Sequence, residues 1–195
     1  LGVDAILPDT ALEKPGLDAI RRKQLLPKNL ESFLTVMNDK YSPDEEYCKI
    51  LGRDRETETL IKILSKATKR NAVLVGHPGV GKTAIVEKFV WSIVKGICHD
   101  RFKDAIVLSL DVTSIIAGTK YRGMAEERFQ EMIKFLETHP NCILFIDEIH
   151  TVLGAGACKD GELDLANSLK PILARGDTQV IGATTFDEYE KYFSK

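Results

Sequence analysis

The feature that most constrains how this chain folds is a glycine-rich stretch between an apolar segment and a helix. Residues 76–83 read GHPGVGKT, which satisfies the pattern G-x-x-x-x-G-K-[ST]. The residues before it, Ala72–Val75, predict a short buried strand, and Thr83–Lys95 predicts a helix that ends at Gly96. A strand, a tight glycine turn and a helix in this order begin a βαβ unit. This stretch therefore predicts an α/β fold.

The alternation of strands and helices continues from about Tyr47 to the end of the chain. Further strands are predicted at Ala105–Leu110, Cys142–Ile146 and Gln179–Thr184, and further helices at Glu56–Ala67, Ala125–Glu137 and Asp164–Ala174. Pro171 should kink or interrupt the last of these helices. The strand at 142–146 is apolar throughout, as expected of a strand covered on both faces. Strands separated by helices pair in parallel through right-handed crossovers, so we predict a doubly wound, mostly parallel α/β sheet.

The beginning of the chain differs from the rest, since four of its seven prolines lie within the first 43 residues. Short helices are predicted at Leu17–Leu26 and Asn29–Lys40. The second has an apolar face formed by Leu30, Phe33, Leu34 and Met37. We predict that residues 1–46 are a short helical linker and that residues 47–195 are the α/β domain. Because there is no initiator Met, we expect the chain to be a piece of a longer protein.

Composition narrows the class of protein. Hydrophobic residues make up 44% and charged residues 29% of the 195, which is a globular mix with an ample core. A net charge of −2 and an isoelectric point near 6.1 give no electrostatic reason to expect nucleic acid or an anionic membrane as a partner. The sequence has no run of 18 apolar residues and no signal-peptide pattern. Cys48, Cys98, Cys142 and Cys158 form no C-x-x-C pair, which favours a reducing compartment without disulfides or zinc.

The glycine-rich stretch has the chemistry of a phosphate-binding loop. Gly76, Gly79 and Gly81 let backbone N–H groups approach an anion without intervening Cβ atoms, and the next helix points its positive end there. Lys82 would neutralise the β- and γ-phosphate oxygens of ATP, and the Thr83 hydroxyl would coordinate Mg²⁺. The alternative, a chance glycine turn, is disfavoured by the strand and helix around it. We assign ATP binding to Gly76, His77, Pro78, Gly79, Val80, Gly81, Lys82, Thr83 and Ala84.

Two carboxylates follow the strand at 142–146, at the end where a doubly wound sheet has its ligand crevice. Asp147 is placed to hold Mg²⁺ through water, and Glu148 to orient and deprotonate an attacking water as a general base. Adjacent like charges are costly unless a cation offsets them, so the pair makes most sense with a metal present. The alternative is an ordinary polar turn, and nearby His150 is interpreted as a packing residue.

The last predicted strand ends in two hydroxyl side chains, Thr184 and Thr185. If this strand lies between the other two, one hydroxyl can bond the attacking water or the γ-phosphate. A threonine pair is also ordinary strand composition, so both interpretations stay open. His77 could contact the phosphates or face solvent, and a solvent-facing position in the loop fits it better.

Six motifs occur in one order along the chain. They are ILGRD from residue 50, GHPGVGKTAIVE from 76, KYRG from 120, ILFIDEIHTVLGAGA from 143, LKPILARG from 169 and IGATTFDEY from 181. In this order and spacing they resemble the first nucleotide-binding module of the Clp family of AAA+ unfoldases and disaggregases. The resemblance covers roughly residues 47–195 and implies the large subdomain of an AAA+ P-loop NTPase. It also implies a homo-hexamer that threads unfolded or tagged proteins through its pore, with a protease ring or other chaperones as further partners.

The resemblance implies roles for particular residues of this sequence. Ile50 and Leu51 would flank the adenine, and Thr185 would sense the γ-phosphate. A pore loop would be formed by Lys120, Tyr121, Arg122 and Gly123. Within it Tyr121 would grip the substrate backbone, because an aromatic ring packs against many sequences. Residues 154–161 would form a second pore-facing loop.

The sequence also departs from the family pattern. His77 stands where the family usually has an acid, and Met124-Ala125 where an acid–aromatic pair is usual. The family's arginine fingers and helical lid are expected beyond Lys195, so the chain alone is expected to be monomeric and a poor ATPase. The resemblance favours a bacterial cytoplasm, with an organelle interior as the alternative.

Two other functions would use the same ATP core. An AAA+ nucleic-acid motor or clamp loader is disfavoured by the isoelectric point and by Tyr121 in its Lys-Tyr-Arg-Gly setting. A non-hydrolysing assembly switch is disfavoured by the intact Lys82, Asp147 and Glu148. The residues do not distinguish delivery of substrates to a protease from refolding with other chaperones.

Overall fold

A computed structural model of the chain describes residues 25–44, 48, 50–116, 122–154, 165–176 and 178–193. Its strands are β1 (Leu34–Val36), β2 (Ala72–Val75), β3 (Ile106–Leu110), β4 (Cys142–Ile146) and β5 (Gln179–Thr184). Its α-helices are α1 (Asp54–Leu64), α2 (Lys82–Val94), α3 (Val112–Ile116), α4 (Arg122–Thr138), α5 (His150–Gly154), α6 (Leu165–Arg175) and α7 (Phe186–Phe193). Two short 3-10 helices lie at Met37–Lys40 and Asp100–Phe102.

The strands form one sheet in the order β1-β3-β4-β5-β2. The pairs β3–β4, β4–β5 and β5–β2 are parallel, and only the edge strand β1 is antiparallel to its neighbour. The predicted doubly wound, mostly parallel α/β fold is therefore confirmed. This order places β5 between β2, which leads into the glycine-rich loop, and β4, which leads into the acidic pair.

The core lies on both faces of the sheet, because successive residues of each central strand point to opposite sides. Val107, Ile143 and Phe145 pack with Phe89 of α2 on one face. Leu108, Leu144 and Ile146 pack with the apolar side of α4 on the other. That side of α4 consists of Phe129, Met132, Ile133 and Leu136, all buried as its helical spacing predicts. All five residues of β4 are buried, which explains its uninterrupted apolar sequence.

The helix predicted at Asn29–Lys40 is wrong. Its apolar residues Leu30, Phe33, Leu34 and Met37 are buried, but the backbone forms turns, then β1, then a 3-10 helix. Leu34, Thr35 and Val36 pair with residues 108–110 of β3. The hydrogen bonds available at this open sheet edge outweigh a local helical period, because propensity is a weak prior against tertiary contacts. The helix predicted at 17–26 lies outside the described residues apart from its last two.

Other predicted elements need only changes at their ends. The strands β2, β4 and β5 have the predicted bounds, and Pro171 lies inside the continuous helix α6.

In the described part of the chain, Cys48, Cys98 and Cys142 are free thiols, and burial raises the pKa of Cys142 to about 11. No helix among the described residues is long and apolar enough to cross a membrane, and these residues contain no group of three or more His, Cys, Asp or Glu side chains placed to hold a metal ion.

Candidate active site

The glycine-rich loop is held at the carboxyl end of β2 by its neighbour in the sheet. The amide of Gly76 donates to the Thr184 carbonyl at the end of β5, with the nitrogen and oxygen 3.3 Å apart. Gly79 and Gly81 have φ angles of 74° and 88°, in the left-handed region where side chains are strained. The loop therefore curls back over the start of α2, with the positive end of that helix at its centre.

Lys82 bridges the mouth of this loop. Its ammonium donates to the carbonyl oxygens of Gly76, at 2.8 Å, and His77, at 3.0 Å. A cation in the middle of a curled backbone, next to a helix N-terminus, is an arrangement that attracts phosphate. The sequence-based assignment of Lys82 as the fixed counter-charge fits this geometry.

Thr83 and Asp147 meet although they are 64 residues apart in the chain. The Thr83 hydroxyl donates to the Asp147 carboxylate, with 2.8 Å between the oxygens. The metal ion that the loop chemistry implies is Mg²⁺, which takes oxygen ligands at about 2.0–2.1 Å in octahedral geometry, so adjacent ligands lie about 2.9 Å apart. Because the hydroxyl donates its proton to Asp147, its lone pairs stay available to a cation. These residues therefore fit Mg²⁺, since their oxygens lie at the separation of adjacent ligands, and the water between Asp147 and the metal stays a prediction.

Glu148 lies exposed at the end of β4, in a conformation that few residues adopt. Its φ angle is 50°, and its amide donates to the Asp147 carboxylate at 3.0 Å. A left-handed non-glycine residue costs on the order of 1–3 kcal/mol and persists only where its surroundings impose it. Asp147 and Glu148 both line a crevice of about 630 Å³.

The residue after this turn fixes its position against β5. The Ile149 amide donates to the Ala183 carbonyl at 2.9 Å, and its buried side chain packs on Gly182. A Cβ atom at Gly182 would lie 2.8 Å from the Ile149 Cδ1 atom, which is closer than real Cβ contacts. The glycine in β5 thus lets Ile149 approach, and the acidic turn is seated as a consequence.

The two threonines at the end of β5 are already engaged within the protein. Thr184 is 1% exposed and its hydroxyl lies 3.1 Å from the His150 Nδ1 atom. The Thr185 hydroxyl accepts from the Glu188 amide at 3.3 Å and caps α7. His150 is therefore a partly buried hydrogen-bonding residue at the site, and the γ-phosphate role of Thr185 stays a prediction.

An apolar cleft of about 410 Å³ lies beside the loop, between α1 and β2. Its lining consists of Arg53, Arg55, Glu56, Thr59, Leu60, Ile63, Ala72, Val73, Leu74, Val75, Val80, Lys82 and Ile85. A mainly apolar cleft with a few polar side chains in its lining suits a nucleotide base. Ile50 and Leu51, assigned to the adenine, are not part of that lining, and Leu51 is 91% exposed.

Sequence reasoning missed two residues that contact the loop. The Arg53 guanidinium donates to the Val80 carbonyl, and the Phe186 ring meets the His77 ring edge-on with centroids 5.2 Å apart. The one available signal for Arg53 was its place after Gly52 in the ILGRD motif. Nothing in the sequence alone pairs Phe186 with His77.

The predicted pore loop lies largely outside the described residues. Lys120 and Tyr121 are not described, and Arg122 and Gly123 form the first turn of α4. The second predicted loop, 154–161, is described only at its first residue, the end of α5.

Comparison with known proteins identifies relatives of this architecture. The family model described as "ATPase family associated with various cellular activities (AAA)" matches residues 72–192. The ATP-dependent Clp protease ATP-binding subunit ClpC of Staphylococcus epidermidis is 51% identical over 146 residues, which are 75% of this chain and 18% of that protein. Chaperone protein ClpB of Clostridium perfringens is 50% identical over 147 residues, which are 75% of this chain and 17% of that protein. The chain thus spans less than a fifth of the length of either relative.

Two solved structures of Hsp104 have the same fold. The Saccharomyces cerevisiae Hsp104–ADP complex matches with a TM-score of 0.70 and 36% identity, over 85% of this chain and 23% of that one. The closed state of Hsp104 with ATPγS and FITC-casein matches with a TM-score of 0.71 and 38% identity, over 84% of this chain and 28% of that one.

Proposed function

This chain belongs to the AAA family of ATPases and is a nucleotide-binding domain of the Clp type, and on that premise we propose that it binds and hydrolyses ATP with Mg²⁺ at the loop Gly76–Thr83. The observation that carries the proposal is the 2.8 Å contact between the Thr83 hydroxyl and the Asp147 carboxylate. It joins the end of the phosphate loop to the end of β4, where the two groups suited to Mg²⁺ meet.

Each residue of the site has a separate task in this proposal. The loop amides and Lys82 hold the β- and γ-phosphates, and the apolar cleft between α1 and β2 takes the base. Bound Mg²⁺ would supply positive charge that offsets the charge developing on the phosphate oxygens. Glu148 faces the crevice and takes the proton of the attacking water. Asp147 holds the Thr83 hydroxyl in place and would help to hold Mg²⁺ through water.

We propose further that ATP hydrolysis here drives the threading of unfolded or tagged proteins through a homo-hexameric pore. Support comes from the 50–51% identity to ClpC and ClpB and from the fold shared with Hsp104, one structure of which contains FITC-casein. In this proposal residues 47–195 are the large subdomain of the module, with β1 completing the edge of its sheet, and Lys120–Gly123 are its pore loop. The bacterial relatives favour a bacterial cytoplasm as the compartment.

Stimulation of the ATPase by different polymers tests this function. In the full-length protein, an unfolded protein such as casein should raise the rate of phosphate release, whereas single- and double-stranded DNA should leave it unchanged. Stimulation by DNA and not by casein would favour the alternative, a nucleic-acid motor or clamp loader. Absence of any phosphate release, with MgATP bound, would favour a non-hydrolysing switch instead.

Tyr121→Ala in the full-length protein separates the mechanical step from the chemical one. We expect ATP hydrolysis to continue while unfolding of a tagged substrate fails, because the ring that packs against the threaded chain is gone. Phosphate release and loss of fluorescence from a tagged fluorescent protein measure the two steps. Tyr121→Phe, which keeps the ring, should unfold the substrate normally. Equal loss of both activities in an intact hexamer would show that this loop supports the nucleotide site.

A further inference from the structure

The turn before α1 has an unusual backbone. Gly52 and Arg53 are consecutive left-handed residues, with φ angles of 71° and 63°. Glycine adopts this conformation freely, but an arginine does not, since its Cβ is crowded there. Arg53 is also the N-cap of α1, a position where Ser, Thr, Asp or Asn is preferred and where its side chain makes no capping bond. The backbone thus accepts an unfavourable residue at this position.

The Arg53 side chain explains why the residue is held there. Its guanidinium donates to the Val80 carbonyl inside the phosphate loop and to the Glu56 carboxylate at 2.9 Å. It also lies 3.8 Å from the position that a Cβ atom would take on Gly81. Arg53 therefore joins the start of α1 to the middle of the loop, at the peptide between Val80 and Gly81.

A second cation anchors the same turn from α2. The Lys88 ammonium donates to the Gly52 carbonyl at 2.6 Å and to the Asp54 carboxylate at 2.7 Å, and this contact lowers the pKa of Asp54. Lys88 lies on the helix that Lys82 begins. The turn is therefore bound to the phosphate loop through Arg53 and to α2, the helix that follows this loop, through Lys88.

The contact at Val80 has a consequence for phosphate binding because a peptide bond is planar and trans. In such a unit the carbonyl oxygen and the next N–H point in opposite directions. Fixing the Val80 oxygen on Arg53 therefore fixes the direction of the Gly81 N–H, on the opposite side of the same peptide. Gly81 has a φ angle of 88° and could rotate readily without this restraint.

We propose that Arg53 is a positioning residue for nucleotide binding, which aims the Gly81 amide at the phosphates by holding the Val80 carbonyl. The Arg53–Glu56 ion pair cannot account for the strained conformation, since both side chains are well exposed, at 39% and 46%, and such pairs contribute little. The bond to Val80, in contrast, is charge-assisted and reaches into the loop, so it accounts for the strained backbone at Arg53. This inference rests on the proposed nucleotide function and adds the element that orders the loop before the ligand arrives.

Arg53→Gly is the most direct test, because glycine accepts the left-handed backbone and loses only the side-chain contacts. We expect the thermal midpoint to stay within a few degrees of wild type while the dissociation constant for MgADP, measured by calorimetry, rises about tenfold. One charge-assisted hydrogen bond is worth roughly that factor in an equilibrium constant. Millimolar guanidinium chloride, far below denaturing concentrations, should restore part of the affinity in this variant and not in wild type.

Arg101→Ala is the matched control, since its guanidinium also binds backbone carbonyls, those of Ser65 and Lys66, but at the far end of α1. Its affinity for MgADP should equal that of wild type. Arg53→Lys serves as the second variant if Arg53→Gly fails to fold. The lysine keeps the charge but lacks the planar guanidinium whose separate N–H groups reach Val80 and Glu56, so its affinity should lie between those of wild type and Arg53→Gly.

Amide NMR of the nucleotide-free protein tests the positioning separately from nucleotide binding. In Arg53→Gly the Gly81 amide resonance should shift and broaden, whereas in Arg101→Ala it should stay in place. An unchanged MgADP affinity in folded Arg53→Gly, or an unmoved Gly81 resonance, would overturn the proposal. If wild type itself binds no nucleotide while Gly81 still responds to Arg53, the proposed function fails and the restraint on the loop stands.

Discussion

Lys82→Met is expected to remove measurable MgATP and MgADP binding from this module. The methionine keeps the length and apolar stem of the side chain but loses the ammonium that lies 2.8 Å from the Gly76 oxygen and 3.0 Å from the His77 oxygen. That cation lies inside the curl of the loop, where the β- and γ-phosphates are expected. Loss of the two charge-assisted contacts expected with the phosphate oxygens raises the dissociation constant about a hundredfold or more. Isothermal calorimetry will then detect no heat of binding.

The control for this variant is Lys62→Met, which removes an exposed lysine paired with Glu58 on the surface of α1. Its binding should equal that of wild type, because screened surface pairs contribute little. Thermal unfolding without nucleotide should show both variants folded. Undiminished binding by Lys82→Met would move the phosphate site away from Gly76–Thr83.

Glu148→Gln is expected to bind MgATP normally and to turn it over slowly. The amide has the shape of the carboxylate, and glutamine tolerates the left-handed backbone at φ 50° as well as glutamate does. It cannot accept the proton of the attacking water, and positioned general bases contribute about 10²–10⁴ in rate. Calorimetry should give the wild-type dissociation constant, and single-turnover phosphate release in the full-length protein should fall by that factor.

Glu58→Gln provides the comparison, since it makes the same chemical change at an exposed position of α1 away from the crevice. Its turnover should match wild type. Phosphate release at the wild-type rate by Glu148→Gln would assign the base to another group. Loss of MgATP binding together with turnover would instead show that Glu148 serves the metal site.

The sequence predicted the fold class and most of the elements correctly, because their signals are local. The strand β2, the glycine-rich loop and α2 are adjacent in the chain, so their order and chemistry are visible within residues 72–94. The uninterrupted apolar run of β4 likewise predicted a strand buried on both faces. The exception at Asn29–Lys40 arose because turns, an edge strand and a 3-10 helix together buried the same four side chains that an α-helix would have buried.

Some residues of the candidate site lie in short sequence motifs, whereas others depend on contacts between distant parts of the chain. Lys82, Thr83, Asp147 and Glu148 could be assigned because each belongs to a short pattern with one chemical use, and their roles stay predictions. Arg53 was missed because its role depends on a contact with Val80, 27 residues away, and on a left-handed backbone that no composition rule predicts. Thr185 was assigned through a resemblance, while the structure engages its hydroxyl at the start of α7.

By itself the sequence determined which chemical groups this protein has and which of them follow a strand or begin a helix. Only the tertiary structure decided that β5 lies between β2 and β4, which brings Thr83 within 2.8 Å of Asp147. Sheet order depends on how side chains from distant segments pack, as Ile149 packs on Gly182. The local periodicity of a sequence does not predict such packing. For the same reason, only the folded chain could place the Arg53 guanidinium on the phosphate loop.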